Sequence, residues 1–151
     1  MGRSWHFVKT VLGILFRHPV VGTSIIPILP NGQLVLIQRQ DNGLWGLPGG
    51  VVDWGEDIAT AVKRELFEET GLTLVKIRRL VGVYSAPDRD PRLHSICIAI
   101  EAEVQGQIQV HDTLEIKDAQ AFPLDSLPQG NLTHDHDQQL QDYLSAETAL
   151  R

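Results

Sequence analysis

One cysteine, no apolar run long enough to cross a bilayer and no surplus of positive charge together narrow what this 151-residue chain can be. The lone Cys97 excludes an internal disulfide and fits a reducing compartment, so a cytoplasmic protein is expected. Acidic residues outnumber basic ones, 19 to 13, for a net charge of −6. No nucleic-acid partner is expected, because binding a polyphosphate backbone needs a basic face. A nucleotide remains open as substrate, since a metal can bridge an acidic site to phosphate. The apolar stretch Ser4–Phe16 is interrupted by Lys9 and is too short to span a membrane. It is followed by Arg17-His18-Pro19, with no small-residue cleavage site, so it does not read as a signal peptide. His6 stands where N-myristoylation wants Ser or Thr. Residues 1–19 are therefore expected to form a helical segment packed on the domain or on a partner subunit, as in a homodimer, rather than on a membrane. There is no repeat, low-complexity tract or long linker, and residues 20–151 read as one domain.

What is present reads mostly as strand. Val20–Leu29 is β-branched, with Pro27 favouring an edge or a bulge. Pro30-Asn31-Gly32 signals a hairpin into a second strand over Gln33–Gln40. Further strands are expected over Leu72–Ser85, over Leu93–Val104 and in the stretch beginning at Glu115. A helix is expected from about Ile58 to Thr70, capped by Asp57 and closed by Gly71. Another is expected from His134 to about Leu144. Short connections among strands point to an α/β domain with a mixed or largely antiparallel sheet.

The helix over Ile58–Thr70 is unusual in where it puts its acids. Projected at about 100° per residue, Ile58, Ala61 and Val62 form an apolar stripe that Glu65 and Glu69 continue, with Glu68 at its border. Acids three and four apart repel one another, and the C-terminal half of a helix disfavours anions. Arg64 offsets part of this charge, and the rest suits an external cation. A site of oxygen ligands without His or Cys suits Mg²⁺, or Mn²⁺, rather than Zn²⁺. A solvated acidic face is the alternative. The preceding Pro48-Gly49-Gly50 lets main-chain atoms approach a ligand, and a Gly49 or Gly50 carbonyl is a candidate metal ligand.

Gly50, five residues, Glu56, seven residues, then Arg64-Glu65-Leu66-Phe67-Glu68-Glu69-Thr70-Gly71-Leu72 resembles the complete signature of the Nudix hydrolases over 23 residues. The resemblance implies an α/β/α sandwich with a mixed β-sheet. It also implies metal-dependent hydrolysis of a nucleoside diphosphate linked to another moiety. On that resemblance Glu65, Glu68 and Glu69 correspond to metal ligands, with Glu56 and the Gly49 carbonyl as further ones. Arg64 orients the carboxylates, and Glu65 is the candidate general base. ADP-ribose is the favoured substrate, because Ser85–Arg92 resembles a loop of ADP-ribose pyrophosphatase-like members, although Leu93 stands where they carry glycine. The alternatives are clearance of damaged nucleoside triphosphates to monophosphate and pyrophosphate, and a sensor that binds without hydrolysis. Sensors usually lose motif glutamates, and here all are present.

Outside the motif, Arg39, Arg89 and Arg92 are candidate substrate-binding residues. Arg39 is expected to meet a phosphate or to pair with a motif glutamate. Among Glu101, Glu103 and Glu115, the last is the candidate extra metal ligand. Trp45 is read as support for the glycine loop, ahead of stacking on a base, and Cys97 as a buried strand residue. Thr133-His134-Asp135-His136-Asp137 is read as a cap of the last helix, through Thr133 or Asp135, rather than as a metal site.

Overall fold

Three helices and seven strands form among residues 2–151, the part of the chain that the structure, a computed structural model, describes. In chain order they are α1 (Gly2–Phe16), β1 (Val20–Ile28), β2 (Leu34–Arg39), β3 (Trp45–Gly46), α2 (Ile58–Thr70), β4 (Thr73–Tyr84), β5 (Ser95–Gln105), β6 (Ile116–Phe122), α3 (His136–Leu144) and β7 (Ala149–Leu150). The strands make one sheet in the order β3-β2-β1-β5-β4-β7, with β6 also on β2. β1 runs parallel to β5 and β4 parallel to β7, while the other pairs are antiparallel, so the sheet is mixed as expected.

Because side chains alternate along a strand, neighbouring apolar residues serve opposite faces. Ile25, Val35, Ile100, Ala102 and Val104 pack with Val62 and Leu66 of α2. Ile26, Leu36, Cys97 and Ala99 pack with Leu140 of α3. The result is the α/β/α sandwich, with a separate core on each side of the sheet. Full burial of side chains such as Leu66 contributes about 1.5–3 kcal/mol each.

α2 ends where its caps require. The Asp57 side chain accepts from the Thr60 N–H at 2.7 Å. Gly71 is left-handed at φ 73°, and its N–H donates to the Phe67 carbonyl at 2.9 Å. The hairpin at Asn31-Gly32 also forms, with Gly32 at φ 83° and the Asn31 side chain accepting from the Gln33 N–H.

The feature that positions the site is a fork. β1 and β2 pair only at Ile28 and Leu34 and then part. Into the gap runs the Pro48–Val52 loop, bonded along β1. The Thr23 N–H donates to the Gly50 carbonyl at 2.8 Å, the Ile25 N–H to the Pro48 carbonyl at 2.8 Å, and the Val52 N–H to the Val21 carbonyl at 3.0 Å. Pro27 lies in this strand on the same side as Thr23 and Ile25. Its missing N–H therefore falls on the forked edge and removes no bond to β5, so the edge that Pro27 favours is a local one inside the sheet.

Two short strands were not foreseen, β3 and β7, both only two residues long. α3 starts two residues later than expected. His134 takes a left-handed φ of 53°, and the segment before the helix is used to hold β3. In α1 the described apolar side chains are exposed, Trp5, Phe7 and Ile14 among them.

Leu66→Ala is expected to lower unfolding stability by about 2–5 kcal/mol, whereas the exposed Lys63→Ala on the same helix should stay within about 0.5 kcal/mol. Urea midpoints with unchanged slopes would check both.

Candidate active site

The acidic half of α2 faces the glycine loop at close range. A Cβ on Gly50 would lie 2.3 Å from Glu65 Oε1, and one on Gly49 would lie 2.1 Å from the Thr23 carbonyl oxygen. Neither position has room for a side chain, so the double glycine is set by contact on two sides, β1 and α2. The Gly49 N–H donates to Glu69 Oε2 at 2.8 Å, latching the loop to the helix.

Arg64 organises the carboxylates. Its guanidinium forks onto Glu56, with Nε to Oε1 at 2.8 Å and Nη2 to Oε2 at 2.9 Å. It also donates to Glu65 Oε1 at 2.7 Å and to the Val51 carbonyl at 3.1 Å. Glu68 lies 3.5 Å from Nη1, one helical turn on. The Arg64 hydrogen bonds hold the Glu56 carboxyl down at about 2. Glu65 moves the other way, raised by burial against the pull of Arg64. Burial likewise pushes Glu69 up to about 8, opposed by the Gly49 N–H and aided by the charges of Glu65 and Glu115. Burial thus makes both carboxyls resist ionisation, Glu65 despite its bond to Arg64. Glu68 is partly exposed, and its carbonyl accepts from the His111 and Asp112 N–H groups, which satisfies part of the helix end.

Glu115 sits in the turn just before β6, near enough for its charge to act on Glu65, Glu69 and Arg39. Its two rivals are engaged elsewhere: Glu101 pairs with Arg79 at 3.2 Å and Glu103 with Arg78. Among the described residues, no three acidic, His or Cys side chains converge as a preformed metal cage. The donor chemistry nevertheless fits a hard cation, since all the groups are oxygens and three of the carboxylates share the single guanidinium of Arg64.

Beside this face lies a cavity of about 170 Å³ lined by the glycine loop, Arg39, Arg89, Arg92, Thr133 and His136, among others. The three arginines expected to bind substrate thus meet at one cavity, each already holding an aspartate. Arg39 forks onto Asp41, with both bonds at 2.9 Å, rather than onto a motif glutamate. Arg92 forks onto Asp90 at 3.0 and 2.9 Å. Arg89 is the most buried of the three. It forks onto Asp135 at 2.9 and 2.8 Å and donates to Ser95, which ties its loop to the start of α3.

His136 is a site residue that sequence reasoning passed over. Its Nδ1 accepts from the Leu47 N–H at 2.9 Å, and burial lowers its pKa to about 4, so the ring is neutral. Asp135 occupies the N-cap position but makes no capping bond, because its carboxylate is taken by Arg89 and by Gln139. Thr133 is no side-chain cap either; its N–H donates to the Trp45 carbonyl at 2.8 Å. The Thr133–Asp137 run therefore braces β3 and the cavity wall rather than capping a helix. Its only sequence signal was the density of His and Asp. Trp45 packs edge-on to Phe122 of β6, with ring centres 5.2 Å apart. Cys97 is buried in β5.

Residues 18–143 match the profile described as NUDIX domain. The chain belongs to the Nudix family. It is 42% identical over 134 residues to an ADP-ribose pyrophosphatase of Methanocaldococcus jannaschii, covering 86% of this chain and 76% of that one. Among solved structures, a MutT Nudix hydrolase from Burkholderia pseudomallei superposes with a TM-score of 0.72 at 34% identity, over 83% of this chain and 98% of that one. A bifunctional NMN adenylyltransferase/ADP ribose pyrophosphatase from Francisella tularensis, complexed with AMP and a manganese ion, gives 0.73 at 25% identity, over 94% of this chain and 46% of that one. The protein is a Nudix pyrophosphohydrolase, of a family typically dependent on a divalent metal.

Gly50→Ala should drive the Glu65 carboxylate from its seat, and a misplacement of this size is expected to lower kcat about 100-fold. A normal circular dichroism spectrum beside that loss would place the fault in the site. Full activity would mean that the Glu65 position is not critical.

Proposed function

We propose that this chain hydrolyses the diphosphate of an ADP-ribose-like nucleoside diphosphate derivative, releasing AMP and a sugar phosphate. The observation that carries this reading is the meeting of three arginines at one cavity beside the carboxylate face of α2. Such a cavity suits an anionic linkage with a moiety on either side, and the relative from M. jannaschii bears the name of that activity.

Glu65, Glu68, Glu69, Glu56, the Gly49 carbonyl and Glu115 would hold Mg²⁺, or Mn²⁺ in its place. The Gly50 carbonyl already accepts from Thr23, which leaves Gly49 as the better main-chain donor. Bound there, the ion supplies charge neutralisation of the phosphate oxygens and a lower pKa for water. The chain's own groups do the rest. Arg39 and Arg92, at the cavity wall, orient the diphosphate, and Arg89 holds the loop that carries Arg92. Glu65 accepts a proton from the water whose oxygen attacks one phosphorus. The bond from that phosphorus to the bridging oxygen breaks, and the bridging oxygen leaves with the other phosphate. Arg64 keeps Glu65 and Glu56 in register throughout.

Glu65→Gln is expected to leave folding intact and to lower turnover of ADP-ribose with Mg²⁺ about 10²–10⁴-fold. Product analysis tests the substrate class. AMP with ribose 5-phosphate is the expected pair. Preference for oxidised triphosphates, with pyrophosphate released, would overturn it, as would tight binding of ADP-ribose without hydrolysis.

A further inference from the structure

The helix α1 is not accounted for by hydrolysis. Viewed at about 100° per residue, Phe7, Val8, Val11, Leu12, Ile14 and Leu15 occupy one half of it, with Trp5 at the border. His6, Lys9, Thr10, Gly13 and Arg17 occupy the other; the Arg17 N–H donates to the Gly13 carbonyl, so the helical path reaches it. The apolar half is bare: Phe7 is 71% exposed and Ile14 63%. The segment carries Arg3, Lys9 and Arg17 and no acid, in a chain of net −6. The sequence favours the domain or a partner subunit over a membrane as the cover for this segment, but a face this exposed fits a membrane surface.

We propose that α1 is an interfacial anchor that lays its apolar half into the surface of an anionic lipid bilayer. The fit is one of charge and of width. An acid-free basic face complements anionic headgroups, while the apolar face enters the acyl boundary. Trp5 lies between the two, with Lys9 Nζ 5.5 Å from its ring centre, an arrangement suited to the headgroup level. An apolar sector of half the helix is wider than the seam by which two copies would pair, and a bilayer surface covers all of it. At about 1.5 Å per residue, the 15-residue helix falls short of the roughly 30 Å hydrocarbon core. No helix among the described residues is long and apolar enough to cross a membrane, so this one lies along the surface. Only residues 17–19 separate it from Val20, which lines the cavity.

The test is co-sedimentation of the full chain with vesicles of phosphatidylcholine alone and with about one-third phosphatidylglycerol. Binding to the anionic vesicles is expected, weakening with salt. Lys9→Gln with Arg17→Gln should lower partitioning about 25-fold, at about fivefold per cation, and Ile14→Glu should abolish it. Circular dichroism should be unchanged in all variants, because these side chains are exposed. Three results would overturn the proposal. The wild type could bind neither vesicle, or both equally. It could instead remain off vesicles and run as a dimer that Ile14→Glu converts to a monomer, which would give the face to a second copy.

Discussion

The guanidinium of Arg64 is what allows the acidic half of α2 to exist as built. Glu65 and Glu69 occupy positions that the apolar stripe would otherwise fill, and Glu56 and Glu68 crowd the same region. Like charges at these spacings oppose helix formation. Burial adds a desolvation cost that shows in the raised pKa of Glu65 and Glu69. Arg64 answers with a planar fork that reaches Glu56 and Glu65 together and leaves a donor for the Val51 carbonyl. A lysine would bring the charge without that geometry. The same residue thus stabilises the helix, orients the carboxylates and fastens the segment leading out of the glycine loop.

Its reach depends on the forked sheet. If β1 and β2 stayed paired beyond Ile28 and Leu34, no edge of β1 would be free to bond the loop from Pro48 to Val52. The fork brings main-chain atoms of the loop to the carboxylates without a side chain between them. Glycine at both positions follows from contact on either side rather than from flexibility. Fold and chemistry meet here, since the bonds that complete β1 also present Gly49 and Gly50 to α2.

What could be read in advance followed the range of the forces involved. α2 was legible to its caps, because Asp57, the apolar stripe and Gly71 act within a turn or two of themselves. So was the odd placement of Glu65 and Glu69, since helical periodicity alone reveals acids on a core azimuth. The long strands followed from their β-branched alternation. Less was legible where partners lie far apart in the chain. β3 and β7 are too short to carry a pattern and exist only through their neighbours. Asp135 had the sequence position of a cap, yet Arg89, 46 residues away, takes its carboxylate. His136 is drawn inward by the Leu47 N–H, 89 residues distant. Arg39 lines the cavity, but it pairs with Asp41 rather than with the motif glutamate that was one of its two expected partners.

The paired arginines have one more effect. Each cation at the cavity wall already has a carboxylate within 2.9 Å, so the free cavity is no reservoir of unspent positive charge. A small anion touching one arginine must share it with an aspartate and gains little. A longer anionic molecule that reaches several at once collects many such small gains. On the proposed function, the resting site would thereby discriminate against stray phosphate before any chemistry begins.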